Sequence, residues 1–321
     1  MMKTDEAMKS IYGEEYKGDT LFVAECRKLQ SIYRVEIGED IRPYKDRNGH
    51  IRHYGNYISN GEVAKDGCWK NFLTEHAFNY ATERVKSKKP YETIETDRLF
   101  NNLLSSQPMA FNLFCPLRQM LEESPEAATR AIKAALAVYH IHKITEVDLE
   151  FIPENYGELT GDKSAMDAII KFIGTDGKKA FIAVETKYSE NLGTNVASKR
   201  EKSIEAIKHL NCFTPDAEKS IMEGKTPLTQ IYRNFMLSER YGGKEDLQSY
   251  SIILAPERHP STKTEINSLT DALRDEYKDK IKQINLEDFV NAIIHNCPNE
   301  YRMAFERFYD RYLNFGKLEK F

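Results

Sequence analysis

Two apolar runs, Ala168 to Ile173 and Ala180 to Val184, flank the tripeptide Thr175-Asp176-Gly177. Short β-rich runs joined by a glycine-ended loop signal a hairpin. The closing position of such a loop needs a positive φ, which glycine adopts without steric cost. A hairpin centred on Asp176 pairs each residue with its mirror image, so Asp167 faces Glu185. Side chains alternate along a strand, which puts Lys187 on the same face as Glu185. Directly opposite residues stand roughly 4.5 to 5.5 Å apart. Two carboxylates and an ammonium therefore converge at the open end of one hairpin.

Such a convergence is costly unless something relieves it. Like charges placed opposite each other destabilise a sheet, and carboxylates in a partly dry cleft need a cation or a proton. A divalent metal meets that need: Mg²⁺ is usually held by one or two carboxylates, with waters and phosphate oxygens completing an octahedron. A lysine beside it is placed to orient or help deprotonate a metal-bound water, or to stabilise charge on a phosphate.

Asp167, followed after a gap of seventeen residues by Glu185-Thr186-Lys187, resembles the catalytic signature of the PD-(D/E)XK nuclease superfamily, the restriction-endonuclease-like fold. FNNLLSSQPMAFNLF (Phe100 to Phe114), GDKSAMD (Gly161 to Asp167), FIAVETKYSE and QIYRNFML (Gln230 to Leu237) are similar to a bacterial family of restriction-type endonucleases within it. The resemblance covers Phe100 to Pro256, with weaker similarity before it. Met166 stands where the superfamily signature has proline, a position that is loose among its members.

This resemblance implies an α/β protein with a mixed sheet core flanked by helices and with helical extensions at both ends. The expected organisation is a helical region with a long polar loop over 1–99, the nuclease core over 100–260, and a helical region packing on the core over 261–321. The implied activity is Mg²⁺-dependent hydrolysis of DNA phosphodiesters, with Mn²⁺ able to substitute, in restriction or phage defence. Asp167, Glu185 and the Thr186 carbonyl would hold the metal, Lys187 would position the attacking water, and Gln230 would assist. Arg233, Lys163 and Gln107 are the implied nucleic-acid contacts, with Asp162 beside Lys163 supporting the site. Many relatives use one more acidic residue from an earlier helix, for which Glu75, Glu122, Glu123 and Glu150 are candidates.

A Glu-x-Lys triplet alone says little, since Glu15/Lys17, Glu223/Lys225 and Glu276/Lys278 repeat it. Only Glu185/Lys187 follows an apolar β-type run and has an aspartate in hairpin register. The rival from another class is a non-cleaving nucleic-acid-binding or scaffold protein that keeps the fold. The chain has no Gly-x-Ser-x-Gly, no phosphate-binding glycine loop and no His-Glu-x-x-His to support another hydrolase chemistry.

At 321 residues, 40% hydrophobic and 30% charged, the chain can bury a core. No apolar run approaches the 18 or so residues of a membrane span, and MMKTDEAMKS lacks a signal-peptide core, so a cytoplasmic protein is expected. The five cysteines are scattered without Cys-x-x-Cys, which fits reduced packing thiols. A net charge of −4 argues against passive coating of nucleic acid, but leaves room for a local basic face.

Along the chain, Asp19 is positioned to cap a helix carrying Phe22, Cys26, Leu29 and Tyr33. The polar excursion from Gly38 to Gly67 holds Arg47, Arg52 and several tyrosines, which could touch nucleic acid by phosphate pairing and stacking; His50 and His53 within it read as solvated. A helix is expected over Trp69 to Val85, and another from Ser124-Pro125 with His140 and His142 at its end. The polar residues Ser105, Ser106, Gln107 and Asn112 either tie down backbone or face the cleft, and the resemblance favours the cleft. Thr145 to Ile152 with the hairpin makes a three-stranded meander, and Ser249 to Ala255 a fourth strand. Lys199, Arg200 and Lys202 open a helix ending near Leu210. Thr226-Pro227 starts another, which Gly242-Gly243 stops. Further helices follow from Thr264 and Asn285. The final stripe of Tyr301, Phe305, Phe308 and Tyr312 seals the C-terminal core, with a homodimer face as the alternative.

Overall fold

The hairpin forms the middle of a five-stranded sheet in a computed structural model that describes residues 8–46, 48–65, 67–161, 163–192 and 200–320. Arg47, Asp162 and Lys199 lie outside the described residues. Strands β3 (Ile141–Phe151), β4 (Met166–Gly174) and β5 (Lys179–Thr186) run antiparallel, and β6 (Gln248–Ala255) and β7 (Ile281–Asn285) add on in parallel. Ala168 pairs with Val184 and Ile173 with Lys179, which is the register centred on Asp176. Gly177 takes φ +81°, as the loop demands.

Short loops suffice for the antiparallel strands, whereas each parallel step needs a crossover. Between β5 and β6 this is supplied by α7 (Arg200–Leu210), α8 (Pro215–Met222) and α9 (Gln230–Glu245). Between β6 and β7 it is α10 (Thr262–Ala272) and α11 (Asp275–Lys278). Helices thus cover both faces of the sheet, so β5 is buried from Ala180 to Thr186. On one face Ala168, Ile170, Ile182, Val184 and Leu254 pack with Met109 and Leu113 of α4 (Ser106–Glu123). Toward α9, Ile169, Phe181 and Ala183 meet Leu237 and Tyr241. Asp167 and Glu185 share the odd-numbered alternation of this second set, which turns them to the α9 side.

The N-terminal helix α1 (Leu21–Glu36) joins the same core as the last helix, α13 (Asn299–Tyr312): Phe22, Cys26 and Tyr33 cluster with Phe305, Phe308 and Tyr312. At their junction Arg311, only 2% exposed, bonds Gln30 Oε1, Asn71 Oδ1 and the Asn71 carbonyl at 2.9, 2.7 and 2.8 Å. Its guanidinium also lies 4.0 Å from the Tyr33 ring centre. Cys26, Cys115, Cys212 and Cys297 are free and buried, and Cys68 is free and half-buried. No helix among the described residues is long and apolar enough to cross a membrane.

Several local expectations are corrected. Thr20, not Asp19, caps α1 by accepting from Val23 N, because Asp19 is drawn into an ion pair with Arg27 at 2.6 Å. Helix α2 (Glu75–Lys86) begins six residues later than expected: Lys70 adopts φ +52° and Thr74 supplies the cap. After α5 (Pro125–Ala135), His140 at φ +48° turns the chain into β3, so His140 precedes the strand and His142 lies on it. Thr226 shares a 2.8 Å hydroxyl contact with Ser220, and α9 starts only after Thr229. Gly242 and Gly243 lie inside α9; a Cβ on Gly242 would come within 2.9 Å of the Leu247 carbonyl and Ser249, so the glycine permits close helix–strand approach rather than a stop. Helix α8, capped by Thr214 with Pro215 in its first turn, and strand β7 were not expected at all.

Candidate active site

Asp167 sits near the start of β4, Glu185 near the end of β5, and Lys187 just past it. The Lys187 N–H donates to the Leu254 carbonyl at 2.8 Å, which prolongs the β5–β6 pairing and fixes the lysine's direction. Asp167 Oδ2 accepts from both the Thr186 N–H and its hydroxyl, each at 2.7 Å. Lys187 Nζ stands 2.6 Å from Glu185 Oε1 and 3.2 Å from Gln230 Oε1. Gln230 Nε2 donates to the same Glu185 oxygen at 2.8 Å, and Asn234 Nδ2 to the other at 2.6 Å. Glu185 and Lys187 are each 6% exposed, so the unit is recessed and pre-ordered by α9.

A third carboxylate completes the group. Leu149 pairs with Ala168 and Phe151 with Met166, which sets Glu150 across from Asp167. Glu150 has φ +50°, a conformation that costs a non-glycine residue about 1–3 kcal/mol and clusters at functional sites. It breaks the strand's alternation: Leu149 packs into the core beneath α4, whereas Phe151 meets Tyr241 on the other side. Gln107 Nε2 donates to Glu150 Oε1 at 2.8 Å.

Charge shapes the whole cluster. Burial, then repulsion from Asp167, pushes Glu185 up to about 7 and Glu150 up to about 8. Burial also raises Asp167, although Lys187 and the Thr186 bonds oppose it. Burial alone would lower Lys187, but Glu185 and Asp167 outweigh it and hold the ammonium charged. Glu190 stays firmly ionised despite burial, because Arg98 pairs with it at 2.9 Å, Lys187 lies near, and the Ser106 N–H donates to it at 2.8 Å.

A family model described as the PD-(D/E)XK nuclease superfamily matches residues 17–314. The chain belongs to the PD-(D/E)XK nuclease superfamily. Among curated proteins and solved structures, none matches it. Nucleases of this superfamily hydrolyse phosphodiesters, generally with divalent metals.

The donor set suits such an ion. Among the described residues no group of three or more acidic, histidine or cysteine side chains is arranged to hold a metal ion. Mg²⁺ does not need one, since it keeps several waters and takes one or two carboxylates. The carboxylates of Glu150, Asp167 and Glu185 supply hard oxygen donors, and the Lys187 ammonium touches only that of Glu185 among them.

Of the residues picked out from sequence as site candidates, Asp167, Glu185, Thr186, Lys187 and Gln230 come together here. Gln107 reaches the site through Glu150. Lys163 is exposed in the loop before β4, and Arg233 is half-buried one turn along α9 from Gln230. Among the candidate acids, Glu75 is exposed at the start of α2, Glu122 pairs with Arg118 and Glu123 accepts from the Tyr301 hydroxyl, leaving Glu150 in the site. The buried polar residues of α4 divide: Ser106 and Gln107 serve the site, whereas Asn112 ties down Leu73 N–H and the Asn71 carbonyl. Sequence reading missed Asn234, Arg98 and Glu190. Asn234 follows Gln230 by one helical turn, a signal that could have found it. Arg98 and Glu190 are 92 residues apart, and no local pattern links them.

Proposed function

We propose that the protein is a Mg²⁺-dependent endonuclease acting on DNA. The observation that carries this reading is the single hydrogen-bonded unit of Lys187, Glu185 and Gln230 beside Asp167. A scaffold freed of chemistry has no need for two carboxylates in register beside one lysine.

In this reading Asp167 and Glu185, with the Thr186 carbonyl, hold the ion. A bound Mg²⁺ would polarise the phosphate and acidify a coordinated water. Glu185 and Gln230 aim the Lys187 ammonium, which orients the nucleophile and stabilises phosphate charge. Gln230 bridges the two through both ends of its amide, so it sets their spacing. Arg233 and Lys163 contact the nucleic-acid backbone, and Gln107 orients Glu150 at the cleft.

The test is to incubate the purified protein with supercoiled plasmid and single-stranded DNA in Mg²⁺, Mn²⁺ or EDTA, beside Lys187→Ala. Cleavage that requires metal and disappears in the variant supports the reading; metal-independent cleavage, or none with any substrate, sinks it. The resemblance to restriction-type endonucleases extends the proposal to restriction or phage defence. Plating phage on cells carrying the parent or the variant protein tests that extension.

A further inference from the structure

A groove of about 990 Å³ opens in the N-terminal region, lined by Tyr16, Tyr44, Tyr54 and Tyr57 together with Arg27 and Arg52. Tyr44 and Tyr57 stack with ring centres 4.7 Å apart and planes 13° from parallel. Tyr54 meets Tyr16 edge-on at 5.7 Å. Guanidinium groups brace the rings: Arg27 lies 5.2 Å from the Tyr54 centre and Arg42 5.5 Å from that of Tyr57. The wall is built, not incidental. Tyr44 on β1 (Tyr44–Lys45) pairs with Arg52 on β2 (Ile51–Arg52). Gly13 packs against Gly55 so closely that a Cβ would fall 2.2 Å from the Gly55 nitrogen.

These cations are already matched. Arg27 pairs with Asp19 at 2.6 Å, Arg52 with Asp46 at 3.3 Å, and Arg42 Nη2 bonds Asp97 Oδ2 at 2.9 Å. Lys9 and Lys17 also line the groove, together with Glu14, Glu15 and Asp46, so its charges nearly balance, and the half-exposed Tyr16 supplies open aromatic surface. A phosphate gains little there, whereas a flat heterocycle can stack on the rings.

Its position ties it to the catalytic cleft. Arg42's partner, Asp97, precedes Arg98 on the six-residue helix α3 (Thr96–Asn101), and Arg98 pairs with Glu190 beside Lys187. Adjacent residues of one short helix thus link the two sites.

We propose that this groove stacks unpaired nucleobases of the strand being cut, so that the substrate is DNA with single-stranded or splayed nucleotides beside the scissile phosphate. The proposal rests on the nuclease reading for its substrate. Bases inside an intact duplex cannot reach the tyrosines without unstacking, which single-stranded, branched or frayed DNA does not require.

The experiment uses the full chain with Asp167→Asn to prevent cleavage, and a single-stranded oligonucleotide carrying 2-aminopurine. Stacking on the tyrosines quenches its fluorescence. Tyr57→Ala is expected to weaken binding about five- to 150-fold with the salt dependence unchanged, because no phosphate contact is lost. Tyr57→Phe keeps the ring and binds as the parent does. A matched duplex binds parent and Tyr57→Ala equally. Tyr16→Ala, at a residue 51% exposed, weakens single-strand binding without burdening the fold, and so reads the same groove if Tyr57→Ala fails to fold. Absence of quenching, unchanged binding by the folded alanine variants, or equal loss on the duplex overturns the proposal. Binding is measured apart from cleavage, so a parent protein that binds this way but never cuts overturns only the nuclease reading.

Discussion

Glu150 lies directly across β3 and β4 from Asp167, and its carboxylate is held by Gln107. Burial and this neighbour raise its folded pKa to about 8, above the ordinary glutamate value. The folded state then binds a proton that the unfolded state has released, so the contribution of Glu150 to stability is fully present below about pH 4.5 and is lost as pH rises through about 8. The half-buried His76 and the buried His259, both with pKa lowered by desolvation, act in the opposite sense, but their effect ends near pH 6.5. Glu150→Gln should therefore be more stable than the parent at pH 8 and lose that advantage at pH 5. Thermal melts of both proteins across this range check it, and equal pH dependence refutes it.

Asp167→Asn removes one of three mutually repelling carboxylates while retaining an acceptor for the Thr186 donors. Cleavage should fall by about a thousandfold or more, the scale lost when a site group stabilising developing charge is removed. The melting temperature should hold or rise. Single-turnover cleavage and a melt on the same sample separate the two effects.

Lys187→Met strands Glu185 in a buried site with only neutral donors, Gln230 and Asn234. Breaking one side of a buried pair costs about 3–5 kcal/mol. The loss should be largest at pH 8 and smaller at pH 6, where Glu185 takes up a proton instead. Adding Glu185→Gln should restore much of the stability and none of the activity. Urea titrations at both pH values measure this.

Arg311→Met should be among the more damaging changes outside the candidate site. It leaves the Gln30 and Asn71 acceptors buried without their donor, each worth about 1–3 kcal/mol. Gln30 also donates to the Tyr188 hydroxyl at 3.0 Å, one residue past Lys187. Lower stability with reduced cleavage in the molecules that remain folded is the expected outcome, read by chemical denaturation and by activity per folded protein.

The heart of the site was legible because it depends on local rules. Turn chemistry at Gly177 sets the hairpin register, and strand alternation puts Asp167, Glu185 and Lys187 at one end of it. Helix periodicity also puts Asn234 one turn from Gln230, a local signal that the sequence reading left unused. Strand β7 escaped notice because all of its residues after Ile281 are half-buried, so Lys282 and Gln283 leave no apolar run to read. Gly242-Gly243 misled because a glycine that permits close packing looks the same in sequence as one that ends a helix.

From the sequence alone came the Asp, Glu and Lys triad, its hairpin and the expectation of a metal, all encoded within a span of twenty-one residues. Only the tertiary structure selected Glu150 among four candidate acids, bound Arg98 to Glu190, and assembled four tyrosines into a groove. Those relationships depend on inter-strand register, a left-handed backbone at one residue, and contacts across long stretches of chain. Neighbouring residues carry no periodicity that specifies such meetings; packing of the whole chain does.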